Sequence, residues 1–296
     1  MLWDKIIGQD YAVEILKQSI HTKRIPSAYL FFGPEGVGKA TTAKVMAKAL
    51  NCPQQGCDNC RVCIRINDKN HPDIREVVAD GKFIKIGQIR EINKETSLSI
   101  FEAQYRVYIL KEVEKMNAEA VNAFLKILEE PPKNTIFILT TNAIDSLFST
   151  IVSRCQLVRF NLLSLQNEEK VLREKGVSQE EASFLTNISA GRPGKAMEYK
   201  EKEVGKYLSM VQGYLKEIFE KKNKIKIFEF AEEAKKCSDD IEIILDIIIW
   251  MIPSFFSSFS SRARDEVLKV KYQIARNINL QLGIEVMFFR LYGIYI

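Results

Sequence analysis

Three groups of residues in this 296-residue sequence have types and spacing suited to chemistry. The first is Gly33-Pro34-Glu35-Gly36-Val37-Gly38-Lys39-Ala40-Thr41, a G-x-x-x-x-G-K spacing. Gly33, Gly36 and Gly38 let backbone N–H groups close around phosphate oxygens, and Lys39 adds a point charge at a helix N-terminus. A Ser or Thr hydroxyl that ligates Mg²⁺ is expected after the lysine, where this chain has Ala40. Thr41 comes one residue later, and a helix turns its side chain about 100° away. The second group is Cys52-x4-Cys57-x2-Cys60-x2-Cys63. That spacing can close a tetrahedral Cys₄ zinc site, structural because no coordination position stays open; free or disulfide-bonded thiols are the alternative. His71 lies nearby, but four thiolates already complete a tetrahedron, so it reads as a loop residue. The third group lies downstream. The apolar run Tyr105–Leu110 ends in Lys111-Glu112, where a phosphate-loop ATPase ends in Asp-Glu, so a cation replaces the Mg²⁺ carboxylate and Glu112 keeps the second acid. Lys111 could there supply part of the missing metal charge.

These residues need elements to hold them. Tyr29–Phe32 before the glycine loop and Thr42–Leu50 after it predict strand, loop and helix. Strands are predicted at 28–32, 73–79, 105–110, 135–140 and 157–160. Helices are predicted after Asp10 to about Ile20, at 87–98, and at 114–130, where Pro131-Pro132 stops the run. Strands alternating with helices give a parallel α/β sheet covered on both faces. From Asn161 the strand signal lapses. Helices are predicted at 166–175 and 178–187, then from Lys195 after the break Gly191-Arg192-Pro193-Gly194, and at 204–221, 225–236, 239–251, 262–277 and 279–293.

Hydrophobic content of 46% and charged content of 27% are those of a globular chain with a sizeable core. A net charge of +5, without a basic arm, argues only weakly for nucleic acid. No secretory signal is visible at Met1–Lys5, and the uncharged stretch Ile247–Ser261 contains Pro253 and is too short to span a bilayer. A cytoplasmic location is therefore expected, in which clustered cysteines favour metal over disulfides.

Several segments together resemble the bacterial sliding-clamp loader proteins of the AAA+ class. Ala120-Val121-Asn122-Ala123-Phe124-Leu125-Lys126-Ile127-Leu128-Glu129-Glu130-Pro131-Pro132 is similar to that family's N-A-L-L-K-x-L-E-E-P-P segment. Ile25–Phe31 resembles the lead-in to its phosphate loop, Ile7-Gly8-Gln9 its N-terminal adenine-side box, and the four cysteines its inserted zinc module. Ser153-Arg154-Cys155 matches its S-R-C motif, and Asn277–Glu285 resembles a pattern in its collar. The resemblance implies three domains: an AAA+ α/β domain at 1–160 with the zinc module at 52–63, a helical lid at 161–203, and an all-α collar at 204–296. It also implies structural Zn²⁺, with an ATP or ADP site formed by Gly33, Gly36, Gly38, Lys39, Ala40, Thr41 and Glu112.

Within the family, Ala40 and Lys111 depart from the hydrolysing gamma/tau type, and so does Gly194, which stands where that type carries a sensor arginine. The resemblance is therefore to the delta-prime type. It implies a weak or vestigial nucleotide site, a lost Mg²⁺ site, and a hetero-pentamer with gamma/tau and delta subunits. Through that complex the chain would serve the beta sliding clamp and primer–template DNA of the DNA polymerase III holoenzyme, without a membrane. Arg154 would act in trans as an arginine finger on a neighbour's γ-phosphate; a surface arginine in a salt bridge is the alternative reading. An active gamma/tau-type ATPase with unusual motif residues is the rival function.

Overall fold

The computed structural model describes residues 2–256, 259–274 and 279–295. The chain divides into two compact units, residues 2–171 with 191–194, and residues 172–190 with 195–295.

The first unit carries α1 (Asp10–His21), β1 (Ala28–Phe32), α2 (Lys39–Asn51), α3 (Arg61–Asn67), β2 (Ile74–Val77), α4 (Ile86–Thr96), β3 (Arg106–Leu110), α5 (Ala118–Glu129), β4 (Thr135–Thr141), α6 (Ser149–Val152) and β5 (Gln156–Arg159), and most of α7 (Leu165–Glu174). The strands form one parallel sheet in the order β2-β3-β4-β1-β5. Every residue of β3 and β4 is buried, as central strands covered on both faces require. Alternation splits the core in two. Tyr29, Phe31, Val107, Ile109, Ile136 and Ile138 pack with Leu16 of α1 and Met46 of α2. Leu30, Tyr108, Leu110, Phe137 and Leu139 pack with Ile89 of α4 and Phe124 of α5. The parallel sheet with helices on both faces is as expected.

Local differences have local causes. The helix expected at 114–130 is two pieces, a 3₁₀ turn at Val113–Lys115 and then α5. Asn117 Oδ1 accepts from Ala120 N at 2.9 Å, an N-cap that starts the helix late. Ile84 N bonds Lys115 O at 2.9 Å, part of a bridge that holds Met116 extended between the two pieces. α3 and α6 lie where no helix is expected; both are short, and α3 is capped by Cys60.

The second unit is helical: the end of α7, α8 (Gln179–Ser189), most of α9 (Pro193–Glu201), α10 (Gly205–Leu215) running into a π-helical turn at Lys216–Glu220, α11 (Ile225–Lys236), α12 (Ile241–Phe255), α13 (Ser260–Ile274) and α14 (Leu280–Tyr295). Ile243, Ile244, Ile247, Ile248 and Ile252 of α12 are buried in this unit's own core, together with Phe219, Phe230 and Phe288. Pro253 lies inside α12 near its C-terminus rather than ending it. Asn277 and Ile278, the start of the collar-like pattern, lie outside the described residues. Among the described residues, no helix is long and apolar enough to cross a membrane.

Candidate functional site

The glycine loop sits where the fold puts ligands in open parallel sheets, beyond the C-terminal end of an inner strand. Gly33, Gly36 and Gly38 have φ of +144°, +79° and +100°. At Gly33 a Cβ would stand 2.1 Å from the Phe160 carbonyl oxygen, so this glycine lets β1 leave the sheet alongside the chain leaving β5. Gly38 is the left-handed N-cap of α2. Gln9 ties the loop to the same exit: its Nε2 donates to Asn161 O at 2.7 Å and Val37 O at 3.3 Å, and its Oε1 accepts from Asn161 N.

Lys39 is buried, and its Nζ donates to Gly33 O at 2.6 Å, Pro34 O at 2.5 Å and Asn142 Oδ1 at 2.8 Å. Burial pulls its ammonium down to about 8, against the opposing pull of Glu114, Glu35 and Glu112. Asn142 is in turn fixed by its own N–H, which donates to Glu114 Oε1 at 3.2 Å. The other Glu114 oxygen is buried and without a hydrogen-bond partner among the described residues. Ala40 offers no side-chain oxygen. Thr41 is exposed, and it is Thr42 whose hydroxyl bonds back to Gly38 O.

Lys111 does not reach into the loop. Its Nζ lies 2.5 Å from Glu76 Oε2, and Glu76 Oε1 lies 2.8 Å from Lys44 of α2. Burial pushes the Glu76 carboxyl up, but Lys111 and Lys44 outweigh it and hold the group below its ordinary value. Glu112 has φ +54°, takes a 2.9 Å bond from Lys115, and donates its N–H to Thr140 Oγ1 at 3.3 Å. From the other side Gly194 N donates to Gly36 O at 2.8 Å, and a Cβ at Gly194 would lie 2.8 Å from Gly36 Cα. Glu168, fully buried, supports that approach by accepting from Gly191 N at 2.6 Å.

Arg154 is at the opposite end of the sheet. β5 runs parallel to β1 with Gln156 opposite Tyr29, so Arg154 precedes the strand and lies roughly 20 Å along the sheet from the glycine loop at about 3.3 Å per residue. Its Nη1 donates to Thr150 O at 3.0 Å and its Nη2 to Glu129 Oε1 at 2.8 Å.

The four cysteine sulfurs lie within 4.8 Å of one another. Cys52 Sγ is 3.7 Å from both Cys57 Sγ and Cys60 Sγ, close to the ~3.8 Å edge of a tetrahedron with Zn–S of about 2.3 Å. Backbone N–H groups of Cys60 and Cys63 point at the sulfurs of Cys57 and Cys60 at 3.3 and 3.5 Å. Burial pushes the Cys63 thiol up to about 12; Cys52, although burial also raises it, is held at about 6 by backbone N–H donors. Four such sulfurs can hold a divalent cation, which is what would let all of them ionise together. The loop is seated on the N-terminus. Gly56 meets Leu2, Lys5 pairs with Asp58 at 2.5 Å, and buried Lys48 also pairs with Asp58. His71 is outside this cluster and buried: its Nδ1 accepts from Asp73 N at 3.2 Å, and Nε2 lies 3.6 Å from Glu102.

The fold thus gathers Gly33, Gly36, Gly38, Lys39, Ala40 and Glu112 on one side of the sheet and leaves Arg154 and the cysteines elsewhere. Sequence reasoning passes over Glu76, Glu114 and Glu168, and reads Glu129 only as part of a longer motif, because their roles depend on partners far along the chain. Glu114 had a local signal in its place two residues after Glu112.

A family described as "DNA polymerase III, delta subunit" matches residues 8–164. The subunit delta' of DNA polymerase III from Bacillus subtilis (strain 168) is 39% identical over 184 residues, 61% of this chain and 56% of that one. The tau subunit of the same organism is 33% identical over 200 residues, 65% of this chain and 35% of that one. The matches thus span little more than half of one relative and about a third of the other. A RuvB variant from Thermotoga maritima has a similar fold, with a TM-score of 0.50 at 19% identity over 71% of this chain and 65% of that one. The glycine loop, the sheet order and these matches agree: the chain belongs to the DNA polymerase III delta-subunit family of AAA+ clamp-loader proteins.

Proposed function

We propose that this chain is a non-hydrolysing, delta-prime-type subunit that completes a neighbouring ATPase rather than turning over ATP itself. The observation that supports this most is the Lys111–Glu76–Lys44 cluster. At the strand end where Mg²⁺ needs a carboxylate there is an ammonium, and it is committed to a structural ion pair. Ala40 removes the hydroxyl ligand, and Gly194 meets the loop through its backbone with no sensor side chain. Lys39 serves as the loop's internal cross-link. On this reading Gly33, Gly36, Gly38, Lys39, Ala40, Thr41 and Glu112 form a vestigial nucleotide site with no Mg²⁺ site.

Arg154 stands too far from its own loop to act there, which favours action in trans. A planar, permanently charged guanidinium suits charge developing on a neighbour's transferring phosphoryl group. Cys52, Cys57, Cys60 and Cys63 would hold one structural zinc, with no open position for catalysis. The division into AAA+ domain, lid at 161–203 and collar at 204–296 belongs to the same reading. The second unit offers a surface for a collar contact: Leu282, Val286 and Phe289 lie exposed along α14, beside exposed Ile225 and Phe228 of α11. Phe228 and Phe289 pack edge to face at 5.7 Å. That stripe is better placed for partners than the buried isoleucines of α12. The partners would be gamma/tau and delta subunits, and through them the beta clamp and primer–template DNA.

The test is steady-state ATP turnover by the reconstituted loader with clamp and primer–template DNA. Arg154→Ala should remove turnover at the site it completes, by about 10³-fold or more, while Lys39→Ala leaves the complex's turnover unchanged. Robust Mg²⁺-dependent hydrolysis by the isolated chain would sink the proposal in favour of a gamma/tau-type enzyme.

A further inference from the structure

Glu129 and Arg154 belong to two separate sequence motifs, 25 residues apart, and the fold brings them into contact. Glu129 is the last residue of α5, fixed there by Pro131-Pro132 just beyond. A carboxylate is unfavourable at a helix C-terminus unless a cation faces it. Arg154 is that cation, with Nη2 2.8 Å from Glu129 Oε1. Its other anchor is Thr150 O at 3.0 Å, on the short helix α6 just before it. The guanidinium is therefore held at two points on two different helices, and a planar group held at two points has a defined orientation.

The pair is open to a partner, since the Arg154 and Glu129 side chains are 35% and 53% exposed. A guanidinium carries five N–H donors and these contacts use two, so three remain for a phosphate without Glu129 leaving. We propose that Glu129 is a positioning residue for Arg154: it fixes the plane of the guanidinium on the α5–α6 side so that the remaining donors meet the neighbour's phosphate already oriented. The inference rests on the arginine-finger reading and adds to it the residue through which the finger is held. Glu129 itself touches no reacting atom.

The consequence is kinetic. Losing one point of attachment lets the side chain sample other rotamers, so the productive fraction falls while ground-state nucleotide binding by the neighbour does not. An exposed ion pair of this kind is worth about 1 kcal/mol at most, so the expected loss is about two- to five-fold in kcat.

The experiment uses the complete loader with clamp and primer–template DNA, with ATP turnover measured across ATP concentration for Glu129→Ala, Glu129→Gln and Arg154→Ala. Glu129→Ala should lower kcat about two- to five-fold with KM unchanged. Glu129→Gln should recover much of that loss, because its amide oxygen still accepts from Nη2. A role only in holding the subunit together would not produce this split or this rescue. The inference is overturned if Glu129→Ala leaves kcat unchanged while Arg154→Ala abolishes turnover, if the change is confined to KM, or if Glu129→Gln is as impaired as Glu129→Ala. A silent Arg154→Ala would instead overturn the finger reading, and this inference with it.

Discussion

Gly33→Ala is expected to damage the fold of this chain whether or not nucleotide binds. In sequence Gly33 and Gly38 look equivalent, two glycines that free the backbone around phosphate. The structure separates them. Both have positive φ, +144° and +100°, so an alanine at either position carries backbone strain of about 1–3 kcal/mol. At Gly38 an added Cβ meets nothing within 4 Å, and the strain is the whole effect. At Gly33 the Cβ would stand 2.1 Å from the Phe160 carbonyl oxygen and 3.2 Å from Phe160 Cβ. The closest atom is backbone and cannot rotate away. Phe160 N also donates to Phe32 O at 2.8 Å, so moving it opens the β1–β5 ladder. Overpacking of this kind costs about 1–3 kcal/mol more. The expected losses are thus about 1–3 kcal/mol for Gly38→Ala and about 2–6 kcal/mol for Gly33→Ala. Urea unfolding followed by far-UV circular dichroism, without nucleotide, reads the difference as a shift in midpoint. Equal losses for the two variants, or an unperturbed Gly33→Ala, would refute the assignment of Gly33 to strand packing.

Two further outcomes follow from other parts of the structure. Purified chain should hold one zinc by elemental analysis and lose it when Cys57 and Cys60 are both replaced by serine. Because Gly56 and Asp58 seat Leu2 and Lys5, stripping the metal should also red-shift the emission of buried Trp3 and lower the melting temperature by at least about 5 °C; unchanged Trp3 emission would count against the coupling. Asp73 accepts N–H bonds from Phe101, Glu102 and Ala103 at 2.9–3.0 Å. Burial pushes its carboxyl up, but those donors and Arg106 outweigh it and hold it below its ordinary 3.8. A depressed folded value means the stability is fully present above the unfolded value and is lost as pH falls through the folded one. Asp73→Ala should therefore cost about 3 kcal/mol near neutral pH, with the gap to the parent chain closing below about pH 4. A gap that stays constant into acid would contradict the assignment.

Much of the fold was legible because its signals are local. The apolar runs before the glycine loop and at residues 105–110 and 135–140 become strands at or within one residue of the expected bounds, since fully buried parallel strands read as continuous apolar segments. The late start of α5 was less legible. Glu114 and Lys115 suit a helix, and the choice was made by the Asn117 cap together with a bond from Ile84, a residue remote in sequence. The apolar stretch in α12 shows the same dependence on remote contacts. Its composition fits a partner surface or an internal core equally well, and only packing against Phe219 and Phe288 decides for the core.

The candidate site divides along the same line. The sequence by itself determined the glycine loop, the missing hydroxyl at Ala40, the cation at Lys111 and the cysteine spacing, because each is a matter of residue type at short range. Tertiary structure alone decided what those residues do to one another. Strand order sets Lys111 against Glu76 across 35 residues, and the segment leading into α9 returns to set Gly194 on Gly36. Strand order also places Arg154 at the far end of the sheet from Gly33, beside Glu129. Strand order depends on burying both faces of the sheet, a property of the whole domain that no local spacing encodes.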